Sequence, residues 1–434
     1  MRKLAVGTAL AALVFPAPAF GHAGLVHQSP GLQQRLKRSP PLVILRYDEH
    51  VIVSDDSIVV RSARGRLVSA PAFQPSDRRV VETRLRPLRR GAYTIRWHVL
   101  SEDGHVVSGV ATFGVRYPAP PPTEAYGASG PTTTEHVIRW AYFFALALAV
   151  GGLGFRLLVL PRGAPVPRRL ERRFFLLTGI GIVAVLELGI TAFILRAEDA
   201  LQLPFGRLLY GDLTPIASGT RFGAAFIAMT LGFALVSALI FLSWLFDLRA
   251  LLWPAFLIGL GFASGLSLSG HSAAEAGSTV FSSLADWAHL AAALLWIGGL
   301  VQLAFVVWPA APELRREAFV RFSRLATGLI GVILVAGVYL SIARLPHLHD
   351  LWTAGYGHVL LVKLALVALA LSWGAFHHFV ARPAVERGRS FSLLPRSLVG
   401  ESAVGVAILL VAAVLVDSKP PPRTPPPAPV AAQR

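Results

Sequence analysis

The sequence predicts a chain of two parts: a small all-β sandwich or barrel, then an all-α membrane domain of eight transmembrane helices. Three observations predict it. The 434 residues are 54 % hydrophobic and only 15 % charged, where soluble globular chains carry about 25 % charged residues. Residues 22–116 hold short β-rich runs separated by turns. From residue 136 onward, eight apolar segments are each long enough to span a bilayer, which takes roughly 20 residues. The formal charge of +17 is nearly all arginine, lysine occurring four times. Most of those arginines sit in short loops between apolar runs, so the positive-inside rule explains them better than a nucleic-acid partner does. Cysteine is absent, which excludes disulfides, thiolate metal sites and cysteine nucleophiles.

Residues 1–21 have the three parts of a secretory signal. Arg2 and Lys3 form a positive start, LAVGTALAALVF a short apolar core, and PAPAFG places Ala19 and Gly21 at the −3 and −1 positions of a cut before His22. An uncleaved anchor helix and a cut after Ala23 are the alternatives. The β domain, 22–116, is read from PLVILRYDE, SIVVRSARG, RRVVETRLR, AYTIRWHVL and VVSGVATFGV. In AYTIRWHVL the alternation sends Tyr93, Ile95 and Trp97 to one face. Residues 117–135, YPAPPPTEAYGASGPTTTE, read as an extended linker.

The membrane domain, 136–416, has its spans near 136–160, 174–196, 219–244, 250–270, 283–308, 325–343, 357–380 and 397–416. A signal peptide puts residue 22 outside, so the first span runs inward. The arginine-rich loops agree: Arg162, Arg168, Arg169, Arg172 and Arg173; then Arg315, Arg316, Arg321 and Arg324; then Arg382, Arg387, Arg389 and Arg396. Both ends then lie on the periplasmic or extracellular side of the cytoplasmic (inner) membrane. The proline-rich tail, 417–434, is expected to be disordered.

Within WHVLSEDGHVVSG, Asp103 and His105 are two apart and share one face of an extended backbone. If His22 is the mature terminus, its free amine and imidazole complete a set of three nitrogens and one oxygen. That set suits Cu(II) better than zinc. The plain alternative is a surface turn at Asp103 and a strand end at His105. His98 reads as a strand surface residue, and His27 has no assigned role.

HAGLVHQSPG and YTIRWHVLSEDGHVVSGVATFGV resemble the copper-binding CopC family. The resemblance implies a periplasmic Greek-key barrel or sandwich (immunoglobulin-like, cupredoxin-like) in which His22, Asp103 and His105 form a histidine brace for Cu(II). The domain has no methionine, so the methionine-rich Cu(I) loop of some members is missing. SGHSAA, DWAHLAAALLWIGGL, RFSRLATG, YGHVLLVKLALVALAL and GESAVGVAILLVAAVL resemble the CopD copper-resistance family. The two halves in this order resemble CopC–CopD fusions of the YcnJ type.

Ionisable residues inside spans are costly and usually mark function. Here they are Glu187, Asp286, His289, Lys363 and Glu401, with His271, His358, His377 and His378 near span ends. His271, His289 and His358 are the candidate membrane-domain copper ligands, with Cu(I) the form expected there. Asp286, three residues before His289, shares its helix face and is placed to orient it. Glu187 and Glu401 are expected to line a path or pair with a basic group. Lys363 is expected to snorkel, and His377 and His378 to sit among headgroups. The expected function is capture of Cu(II) outside, with a periplasmic copper donor as an expected partner, and delivery for import. It is a binding and transport function rather than an enzymatic one. The alternatives are a histidine-ligated membrane redox protein, using copper or a haem with His271, His289 and His377 as axial ligands, or sequestration of copper without translocation. No Walker or Rossmann fingerprint is present, which argues against a nucleotide-driven pump.

Overall fold

Period-two alternation builds the N-terminal sheets. The computed structural model describes residues 23–101, 106–119, 133–161, 166–201, 221–263, 280–388, 392–418 and 421. They fall into two units. One holds the strands together with Ile190–Thr230, and the other holds Thr133–Gly189, Leu231–Ser264 and the chain from Val280 onward.

The strands are β1 (Leu25–Ser29), β2 (Gln34–Leu36), β3 (Leu42–Tyr47), β4 (Val51–Ile52), β5 (Ile58–Ser62), β6 (Ser69–Phe73), β7 (Val80–Leu85), β8 (Gly91–Ser101) and β9 (Val106–Val115). One sheet has the order β1-β3-β7-β6, the other β2-β9-β8-β4, with β5 also paired to β8. Every pairing is antiparallel except β2 with β9. Val43, Leu45 and Tyr47 of β3 face Tyr93, Ile95 and Trp97 of β8 and Phe113 of β9 in one core. Burying each such side chain contributes about 1.5–3 kcal/mol. Trp97 lies opposite Gly109, and any Cβ at Gly109 would collide with the indole ring. The glycine therefore lets a bulky ring cross the neighbouring strand.

His98 departs from expectation. It is buried rather than on the surface, with Nε2 3.7 Å from Asp56 Oδ1. From Trp97 to Ser101 every residue of β8 is buried, so both faces of the strand are covered and alternation no longer marks an outer face. His27 is exposed on β1.

The remaining elements are helices: α1 (Thr133–Leu158), α2 (Arg168–Leu195), α3 (Ala225–Phe246), α4 (Leu252–Phe262), α5 (Phe281–Ala310), α6 (Pro312–Arg344), α7 (Gly355–Glu386) and α8 (Leu394–Val416). Among the described residues seven are long and apolar enough to cross a membrane, and α4 is not. The expected span at 250–270 is thus seen only as an 11-residue helix, and residues 264–279 lie outside the described set.

The apolar window of α1 is 83 % buried and that of α5 72 %, against 22 % for α6 and 11 % for α7. The first two are therefore central, and the last two turn residues such as Val335, Ile342, Val362 and Phe379 outward. Small residues permit the central contact. A Cβ on Gly151 would meet the Gly298 Cα at 2.8 Å, and one on Gly298 would strike the Ala147 carbonyl oxygen. In hydrocarbon, where apolar burial gives helices no reason to associate, such backbone contact is what holds them together. Polar side chains in the bundle find partners on other helices. Gln302 donates to Thr178 Oγ1 at 3.3 Å, Trp140 to the Val406 carbonyl and Trp287 to the Leu260 carbonyl, each at 3.1 Å.

Gly298→Leu should separate α1 from α5. The expected cost is at least the roughly 1–3 kcal/mol of overpacking, seen as a lower thermal midpoint of the detergent-solubilised chain, with Gly298→Ala in between.

Candidate functional site

At one edge of the head, three chain segments are tied together. The Ala23 amide donates to Ser101 Oγ at 3.4 Å, and the Ser101 hydroxyl donates to Glu49 Oε1. The Gly24 amide donates to Asp48 Oδ1 at 2.6 Å, and the Asp48 amide donates back to the Gly24 carbonyl. Gly24 is needed for this approach, because a Cβ there would lie 2.8 Å from Asp48 Oδ2. His22, Asp103 and His105 lie outside the described residues. Their neighbours do not: Ala23 and Ser101 share the bond above, and Leu100 pairs with Val106 across β8 and β9. Asp48 and Glu49 are the carboxylates that sequence reading missed. The DE that ends PLVILRYDE was the available signal, two acids after an apolar strand.

Next to them, Tyr47 is 2 % exposed and its hydroxyl has no hydrogen-bond partner among the described residues. Burial pushes its phenol pKa well up.

In the membrane unit, Asp286 and His289 share a face of α5 as expected but engage different partners. Asp286 Oδ1 lies 3.5 Å from Arg344 Nη2 on α6. His289 Nδ1 meets the Ile333 carbonyl at 2.9 Å. A carbonyl only accepts, so Nδ1 carries the proton, and in the neutral ring Nε2 is the nitrogen left for a ligand. The group that orients His289 is therefore Ile333, rather than Asp286. Gly337 gives the ring its room, since a Cβ there would sit 3.0 Å from Cε1. His289 lines a cavity of about 60 Å³ with Trp296, Ile330 and Lys363. Lys363 thus lines the same cavity as His289, a placement its position near a span end did not reveal.

His358 Nε2 donates to the Trp352 carbonyl at 2.8 Å, and His358 does not line that cavity. His271 lies outside the described residues. His347 and His349 stack at 5.4 Å beside Asp350, which accepts from the His347 amide. Glu187 is exposed on α2 and is absent from the lining of the cavities described here.

His377 overturns expectation. It is 5 % exposed and sits inside the bundle, because α7 continues past it through a π-helical turn (His377–Ala381) to Glu386. Its Nδ1 lies 2.7 Å from Glu401 Oε2, and its Nε2 2.8 Å from Ser397 Oγ, which also accepts from Trp373 Nε1 at 2.8 Å. His378 donates to Thr327 Oγ1 at 3.2 Å, since that hydroxyl's own proton goes to the Ser323 carbonyl. His377, His378 and Glu401 line a second cavity, of about 40 Å³. Among the described residues no three His, Asp or Glu side chains are grouped to hold one metal ion.

Fold and site define a multi-pass membrane protein with a β-sandwich head. Residues 25–116 match the family model described as CopC domain, 132–281 that of the copper resistance protein D-like N-terminal domain, and 316–415 that of copper resistance protein D. The chain is 30 % identical over 431 residues to copper transport protein CutJ of Bacillus subtilis (strain 168), covering 92 % of this chain and 74 % of that one. It is 33 % identical over 167 residues to copper resistance protein D of Pseudomonas syringae pv. tomato, covering 36 % and 53 %. The crystal structure of CopC from Methylosinus trichosporium OB3b shares 34 % identity over 22 % of this chain and 95 % of its own, with a TM-score of 0.21. The chain belongs to the copper resistance and transport family that joins a CopC domain to a CopD membrane domain.

The buried Tyr47 phenol gives a pH prediction. Its folded pKa lies above the unfolded value, so its contribution is full below about pH 10 and is lost as pH rises beyond it. Tyr47→Phe should flatten that alkaline loss and, removing no hydrogen bond, should cost less than about 1 kcal/mol. Protection of the head from an alkaline-active protease between pH 8 and 11 measures both.

Proposed function

We propose that the head captures Cu(II) outside the cytoplasmic membrane and passes it to the membrane unit for import. The observation that carries this is the contact of Ala23 with Ser101. Ala23 continues into His22, and Ser101 into the segment with Asp103 and His105. Their attachment points therefore share one edge of the head. Cut before His22, the chain offers an amine, two imidazoles and a carboxylate to one ion, a donor set suited to Cu(II). Asp48 and Glu49 steady the two segments and add negative charge beside a cation.

In the membrane unit His289 receives the ion through Nε2, with His271 as a further histidine of the path and His358, held by the Trp352 carbonyl away from that cavity, as a separate candidate. Copper carried as Cu(I), which the head's Cu(II) becomes only by taking one electron from a reductant outside the chain, has only nitrogen ligands to meet, since the chain lacks cysteine and its only methionines are Met1 and Met229. The arginine-rich loops orient the bundle with both ends outside, α4 belonging to the fourth of eight spans. Haem ligation is the weaker reading. His289 and His377 line different cavities, so they do not face each other across one site.

N-terminal sequencing of the mature protein, joined to Cu(II) titration, tests the reading. We expect a start at His22 and one tight Cu(II) per chain. Asp103→Asn should lose more than the roughly 10–100-fold that outer-shell changes cost. A start at Ala23 or Gly24 removes the chelating amine and the proposed site with it.

A further inference from the structure

The His377–Glu401 pair has no part in copper ligation as assigned above, yet it is the most deeply buried ionisable pair among the described residues of the bundle. Glu401 is 3 % exposed and His377 5 %. Oε2 meets Nδ1 at 2.7 Å but out of line, so this buried oxygen has no aligned donor. On its other side the imidazole is saturated by Ser397, itself held by Trp373.

Among the described residues that line this cavity, none is a lysine or arginine that would supply a countercharge. Facing the cavity are Trp296 and Leu300 from α5, Phe319, Ser323 and Thr327 among others from α6, and Leu398 from α8. The remaining titratable group is His378 on α7, which is hydrogen-bonded to Thr327. With His377 neutral and Glu401 ionised, the pair would hold an uncompensated negative charge within the bilayer, a costly state. One added proton between Nδ1 and Oε2 makes the pair neutral overall.

The position adds a second argument. Trp296 and Ile330 line both this cavity and the one that holds His289 and Lys363. The two cavities therefore lie on either side of a shared partition along α5 and α6.

We infer that His377 and Glu401 form a proton-binding site, and that a copper ion crossing from the His289 cavity exchanges with its proton. For Cu(I) the exchange is one charge for one: the ion enters, the proton leaves to water, and nothing is oxidised or reduced. The inference rests on the transport reading. It predicts that copper influx runs against a counterflow of protons.

Full-length protein in liposomes, supplied with Cu(I), tests it by metal analysis and a trapped pH dye. In the unaltered chain an opposing proton gradient should speed copper entry about tenfold, with proton movement in the other direction. Glu401→Gln and His377→Gln should abolish both the acceleration and the proton movement. Glu401→Asp, which keeps a carboxylate, should restore part of each and guards against a variant that merely misfolds. Copper flux indifferent to the gradient in the unaltered chain, or equally responsive in Glu401→Gln, overturns the inference and leaves transport standing. No copper flux in the unaltered chain sinks transport itself, and the exchange with it.

Discussion

Hydrocarbon cannot solvate a charge, and that constraint arranges the membrane unit. Each ionisable side chain in the apolar stretches of α5 to α8 must find a partner or a cavity inside the bundle. Asp286 takes Arg344, His289 takes a backbone carbonyl and a cavity, Glu401 takes His377. These partners lie on α5 to α8, while small residues at Gly151 and Gly298 let α1 and α5 meet backbone to backbone.

The head answers to a different constraint. Its core is made by alternation in β3, β8 and β9, and its edge by carboxylates. Asp48 and Glu49 accept from the chain beside Ala23 and from Ser101, so the backbone geometry of that edge is set by the protein before any ion arrives.

Much of this was legible in the sequence, and the misses have physical causes. The β-rich runs mark β3, β5, β7, β8 and β9 but not β1, β2, β4 or β6, of which β4 has only two residues and the others are half exposed. Hydropathy marked the seven helices long and apolar enough to cross a membrane, because length and composition are all it needs, while the expected span at 250–270 is seen only as the shorter α4. It could not say which face of an evenly apolar helix turns inward. Lys363 was therefore placed by its nearness to a span end, when packing puts it in the cavity of His289. His377 was read as a headgroup residue because the apolar run fades there, but α7 continues for nine more residues to Glu386. Its partner Glu401 lies on another helix, 24 positions away, and nothing local links the two. His98 failed for the same reason: burial on both faces of β8 is a tertiary fact.

The central claim is that copper crosses the bilayer past His289. Copper content of cells with the unaltered chain, with His289→Leu and without the protein tests it most directly. The account predicts that the unaltered chain raises cellular copper several-fold, while His289→Leu returns it to the level without the protein and leaves Cu(II) binding by the head intact. Cellular copper unchanged by the protein, or raised equally by His289→Leu, would contradict it.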